Sequence, residues 1–114
     1  MNTLRHVMRT LLLAGLLAGT ASAADAPWVT DWEAAKAQAA KEKKTLLIDF
    51  SGSDWCGWCI KLDKEVFSQD AFQAGAKDKY VMVLLDYPRD KSGQSDELKA
   101  QNKKLQQEFQ VRGY

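Results

Sequence analysis

The chain has 114 residues, 46% of them hydrophobic, and its 16 basic and 15 acidic side chains leave a formal net charge of +1. That length fits one small domain with a modest core and little stability to spare. The charges are interspersed and form no basic block, which argues against nucleic-acid binding and against an electrostatic membrane patch.

The first residues read as an export signal. Met1 to Arg9 form a short cationic segment, Leu11 to Ala18 an apolar run too short to span a bilayer, and Ala21-Ser22-Ala23-Ala24 a small-residue exit. Cleavage is expected after Ala23 or Ala24, giving a signal peptide over 1–23 and a domain over 24–114. No cysteine stands at the cleavage site, so neither a lipid anchor nor a stable membrane anchor is expected once the signal is removed. Loss of Arg5 and Arg9 reduces the 16 basic residues to 14 against 15 acidic ones, a formal charge of about −1. The single histidine, His6, departs as well, and with it the commonest general base and metal ligand. A periplasmic or secreted location follows.

In the mature chain, Thr30-Asp31-Trp32-Glu33 fits a capping box with Thr30 as the cap. The helix it starts should run to about Lys43, with Trp32, Ala35, Ala39 and Ala40 at helical spacing and Lys36, Lys41, Lys43 and Lys44 facing water. Thr45 to Phe50 is a short apolar run expected to form a buried strand, and Asp49 is the one anomaly in it. Ser51-Gly52-Ser53-Asp54 is turn-prone. A helix is expected from about Trp55 to Phe67, with Cys59, Leu62 and Val66 on its inner face. Ser68-Gln69-Asp70 can cap a short helix through about Lys77, and Tyr80 to Leu85 reads as a strand covered on both faces. Pro88 and Gly93 mark a loop, Ser95 caps a helix carrying Leu98, Leu105 and Phe109, and Gly113 is expected to end it. The order helix, strand, helix, strand, helix implies right-handed crossovers and a parallel pair of strands.

The chain has only two cysteines, Cys56 and Cys59, within Trp55-Cys56-Gly57-Trp58-Cys59. A thiol at the first turn of a helix lies beside unpaired amides and the positive end of the helix dipole, which favour its thiolate; Cys56 is the candidate nucleophile. Cys59 is one turn on, placed to attack a mixed disulfide and release the reduced product. A zinc half-site would need ligands other than histidine or cysteine. A purely structural bridge would close too small a loop to restrict the unfolded chain much. Trp55 can shield the thiolate or pack over the loop. Trp58, hard to bury at a helix start, favours substrate contact, and Trp55, Gly57 and Trp58 together are the candidate substrate contacts. Asp49 precedes the cysteine loop and, if buried, could take the proton of Cys59 directly or through water; a hydrated strand-end aspartate without a role is the other reading.

Leu46-Leu47-Ile48-Asp49-Phe50, then Trp55-Cys56-Gly57-Trp58-Cys59, the second apolar strand and the closing Val111-Arg112-Gly113-Tyr114 together resemble the thioredoxin superfamily, in particular its exported bacterial members. The resemblance implies an α/β fold, a thioredoxin-like βαβ half with parallel strands and flanking helices. It makes Cys56 the attacking thiol, Cys59 the resolving thiol and Asp49 the family's buried acid. It also implies protein thiols or disulfides as substrates, an electron-donating redox partner, and no cofactor or metal. Family oxidants often carry histidine between the cysteines; Trp58 supplies no positive charge there, which favours a reducing or isomerising role. A different class of protein, a binding or chaperone-like module with an incidental disulfide, is the alternative.

Three departures stand beside the resemblance. The segment between Asp49 and Cys56 is one residue longer than in typical thioredoxins, which leaves open whether Asp49 points at Cys59. Lys64 occupies the place of a helix-kinking proline, which suggests a straighter helix. The family pattern continues after a segment like Arg112-Gly113-Tyr114 with a cis-proline, two strands and a helix, so this sequence is expected to lack the C-terminal ββα part. Neither Pro27 nor Pro88 is placed to substitute for that proline.

Overall fold

A computed structural model describes residues 28–114; the expected signal peptide and Pro27 lie outside the described residues. The elements, in order, are α1 (Trp32–Glu42), β1 (Thr45–Ser51), α2 (Gly57–Leu62), a π-helical segment (Asp63–Phe67), α3 (Asp70–Ala76), β2 (Tyr80–Asp86) and α4 (Asp96–Glu108). Among the described residues no helix is long and apolar enough to cross a membrane.

The two strands pair in parallel, in register from Thr45 opposite Tyr80 to Ser51 opposite Asp86. Val29 bridges the other edge of β2: its amide donates to the Met82 carbonyl at 2.8 Å, and its carbonyl accepts from Leu84 at 3.0 Å. With neighbours on both sides, β2 is the more buried strand, as its apolar run implies. β1 is half-buried along most of its length, a correction to the buried strand expected there.

Side chains alternate across a strand, so Leu46, Ile48 and Phe50 share a face with Val81, Val83 and Leu85. This face carries the main core, closed by Ala35 and Ala39 of α1 and Leu105 of α4. Small residues at 35 and 39 let α1 lie close to the sheet. Ala40 is exposed, so the apolar stripe of α1 is narrower than its sequence spacing suggests. The opposite face presents Leu47, Asp49, Met82 and Leu84 toward the cysteine helix.

The helix ends correct several expectations. Asp31, not Thr30, caps α1, its carboxylate accepting from the Ala34 amide at 2.8 Å. The Trp32 amide, which a Thr30 cap could have satisfied, donates instead to Gln101 Oε1 at 2.9 Å, and Glu33 pairs with Lys36. Lys44 is half-buried and pairs with Glu42. Ser68 is not a cap: α3 begins after Gln69, whose side chain makes no capping bond. Ser95 caps α4 as expected, accepting from the Leu98 amide at 3.1 Å. That helix ends at Glu108, with Phe109 as its C-cap, and not at Gly113. Gln110 takes a left-handed φ of 53°, while Val111 N–H donates to the Gln106 carbonyl and Gln110 N–H to that of Gln107.

The cysteine helix departs most. It starts at Gly57 rather than Trp55, and Leu62 and Val66 are exposed where an inner face was expected. Beyond Leu62 it widens into a π turn, closed by the Ser68 amide donating to the Asp63 carbonyl at 2.8 Å. Lys64 therefore does not give a uniform α-helix.

Candidate active site

β1 delivers the chain into the loop 52–55, which turns it into α2 with Cys56 as the N-cap. The turn is tight: the amides of Trp55 and Cys56 both donate to the Gly52 carbonyl, at 3.2 and 2.8 Å. Gly52 is required by close approach, because a Cβ there would run into the indole of Trp55.

Cys56 and Cys59 form a disulfide, with Cα atoms 5.2 Å apart. The Cys59 amide donates to Cys56 Sγ at 3.2 Å, and the Cys56 carbonyl accepts from the Ile60 amide at 3.0 Å. One free amide of the first helical turn thus points at the sulfur of Cys56, an arrangement that stabilises a thiolate there after reduction. In this oxidised form Cys56 is 6% exposed and Cys59 is half-buried. Helix-start geometry alone suggests the reverse order of exposure.

Pleating places Asp49 on the cysteine side of the sheet, where it lines a cleft of about 250 Å³ with Cys59, Asp63, Ser51 and Trp28. Asp49 and Cys59 thus border the same cleft. Burial, with the like charges of Asp63 and Asp86, pushes the Asp49 carboxyl above the ordinary aspartate value. None of the described residues lining this cleft is basic.

The substrate-facing candidates divide. Trp58 is 76% exposed, with Lys61 Nζ 5.4 Å from its ring centroid. Gly57 faces open space. Trp55 is partly covered: its Nε1 donates to the Tyr87 carbonyl at 2.8 Å, Tyr114 meets it edge-on at 5.4 Å, and the Arg89 guanidinium lies 5.8 Å from its ring. Packing and exposure thus coexist in one side chain.

Sequence reasoning missed the residues that fix this loop. Asp54 accepts from the amides of Arg89 and Asp90, both at 2.9 Å, and Asp86 accepts from the amide and hydroxyl of Ser53. The two backbone amides hold the Asp54 carboxyl below the ordinary aspartate value. Tyr87 anchors the far side: its hydroxyl donates to the Asn102 carbonyl at 2.7 Å, and burial, with Tyr114 nearby, pushes its pKa up to about 12. Such contacts, more than 30 residues apart in sequence for Asp54, carry no local signal. Asp63 had one: it stands four residues after Cys59, a helical spacing that puts both on one side.

A family model described as thioredoxin-like matches residues 27–111. The disulfide bond reductase DsbH of Chlamydia pneumoniae is 31% identical over 93 residues, covering 82% of this chain and 55% of its own length. The thioredoxin-related protein DsbJ of the same organism is 32% identical over 84 residues, 74% of this chain and 24% of its own. The chain therefore spans about half of one curated relative and a quarter of the other. A solved structure of a DsbH oxidoreductase superposes with a TM-score of 0.71 at 29% identity, over 86% of this chain and 68% of that one.

Proposed function

The chain belongs to the thioredoxin-like family, and we propose that it is an exported thiol-disulfide oxidoreductase working in the reducing direction on protein disulfides. The observation that carries this reading is the Cys56–Cys59 bridge at the start of α2, with the Cys59 amide directed at Cys56 Sγ.

In the reduced protein the Cys56 thiolate attacks one sulfur of a substrate disulfide. The substrate S–S bond breaks, its other sulfur leaves as a thiolate that takes a proton from water, and a mixed disulfide with Cys56 forms. Cys59 then loses its proton to ionised Asp49, directly or through water in the shared cleft, and its thiolate attacks Cys56 Sγ. The second substrate thiolate is released, and the Cys56–Cys59 bridge remains. Two electrons have passed to the substrate, so a dithiol donor must supply two to restart the cycle. A raised pKa suits Asp49 to this role, since it brings the proton affinity of the carboxylate nearer to that of a thiol.

Direction is supported by Trp58, which places no cation between the thiols, and by the resemblance to a disulfide bond reductase. Export rests on the signal pattern of residues 1–23, and a periplasmic or secreted location follows from it. The reduction potential, measured against glutathione buffers, is expected below about −200 mV; a value near −120 mV, typical of a strong oxidase, contradicts the assigned direction.

A further inference from the structure

The loop 52–55 before Cys56 is fastened to the end of β2 and to the segment that follows it. Three side chains of this loop grip the end of β2 and the segment after it. Asp54 spans two successive amides, those of Arg89 and Asp90, one on each carboxylate oxygen at 2.9 Å. Ser53 holds Asp86, and Trp55 Nε1 holds the Tyr87 carbonyl at 2.8 Å. Backbone adds one bond more, from the Tyr87 amide to the Ser51 carbonyl at 2.7 Å. Segment 87–90 and the ring of Trp55, the residue that precedes Cys56, are thereby held together as one wall, with the Arg89 guanidinium over the ring. Pro88, buried in that segment, fixes its backbone from inside.

We propose that Asp54 is a positioning residue for polypeptide substrates: by clamping the Arg89 and Asp90 amides it holds the wall of Trp55 and residues 87–90 beside Cys56. The proposal rests on the oxidoreductase reading above. On this proposal an extended polypeptide runs along this wall as its disulfide reaches Cys56, whereas a small thiol needs only access to the sulfur. Asp54 itself touches neither sulfur. It lies in the exposed loop, so truncating it frees two amides to water and leaves the core intact.

The test compares wild type, Asp54→Ala, Asp54→Asn and Arg89→Ala in two assays: steady-state reduction of insulin, and exchange of the bridge with glutathione. Asp54→Ala is expected to raise KM for insulin about fivefold or more, with kcat and glutathione exchange within about twofold of wild type. Asp54→Asn keeps one acceptor oxygen and should fall between, and Arg89→Ala keeps its amide and should raise KM less than Asp54→Ala. Unchanged KM in both Asp54 variants, equal losses toward insulin and glutathione, or a larger effect from Arg89→Ala overturns the proposal alone. A wild-type protein that reacts with neither substrate overturns the oxidoreductase reading, and this proposal with it.

Discussion

Asp49 lies one strand position before Phe50 of the core face, and that single step turns it toward the cysteine cleft. There its pKa is raised by burial and by Asp63 and Asp86, with no basic residue among the described residues lining the cleft. As proton acceptor it must be ionised to work, so the rate at which Cys59 resolves a mixed disulfide should rise with pH through the Asp49 titration. Asp49→Asn is expected to abolish that rise and slow resolution about tenfold or more, leaving attack by Cys56 within about twofold. Asp63→Asn removes a like charge and should shift the same rise to lower pH. Single-turnover resolution measured across pH checks both, and an unshifted profile in Asp63→Asn excludes the coupling. Cys56, Cys59 and Asp49 could be singled out as candidates in the sequence because each is a residue type out of keeping with its surroundings. Asp54 was not, since an aspartate in a turn is ordinary until its partners at 89 and 90 are known.

Elements were read best where local signals decide them. β1 and β2 each run one residue beyond their apolar stretches, and Ser95 starts α4 as its side chain predicts. Ser95→Ala should therefore cost about 1 kcal/mol in urea unfolding. The π segment was not legible, because nothing in Asp63 to Phe67 forbids a regular helix; Phe67 instead packs against Trp28 at 5.3 Å and Phe72 at 5.1 Å, contacts set by tertiary structure. Gly52 also acts at this scale, as the floor beneath Trp55. Gly52→Ala should displace the indole and destabilise the fold by about 1–3 kcal/mol, read from unfolding and near-UV circular dichroism.

At the scale of the molecule, β2 is the spine: β1 and Val29 pair with its two edges, while α1 and α4 close one face over Val83 and Leu85. The parallel pairing followed from element order, but the bridge at Val29 did not, since one residue leaves no strand pattern. Asp49 makes stability depend on pH as well. Its folded pKa lies above the unfolded one, so its contribution is full below the ordinary aspartate value and declines as pH rises through the folded value. Asp49→Asn should thus gain stability relative to wild type on going from about pH 3 to about pH 7, as urea midpoints will show. The central claim is that this fold presents Cys56 as an attacking thiol and Cys59 as the one that resolves. Its most direct test is to mix reduced Cys59→Ala protein with a defined peptide disulfide and locate the adduct by mass spectrometry. A persistent mixed disulfide at Cys56 is expected, released in wild type as the Cys56–Cys59 bridge forms; no adduct at Cys56, or release at the wild-type rate without Cys59, would contradict these roles.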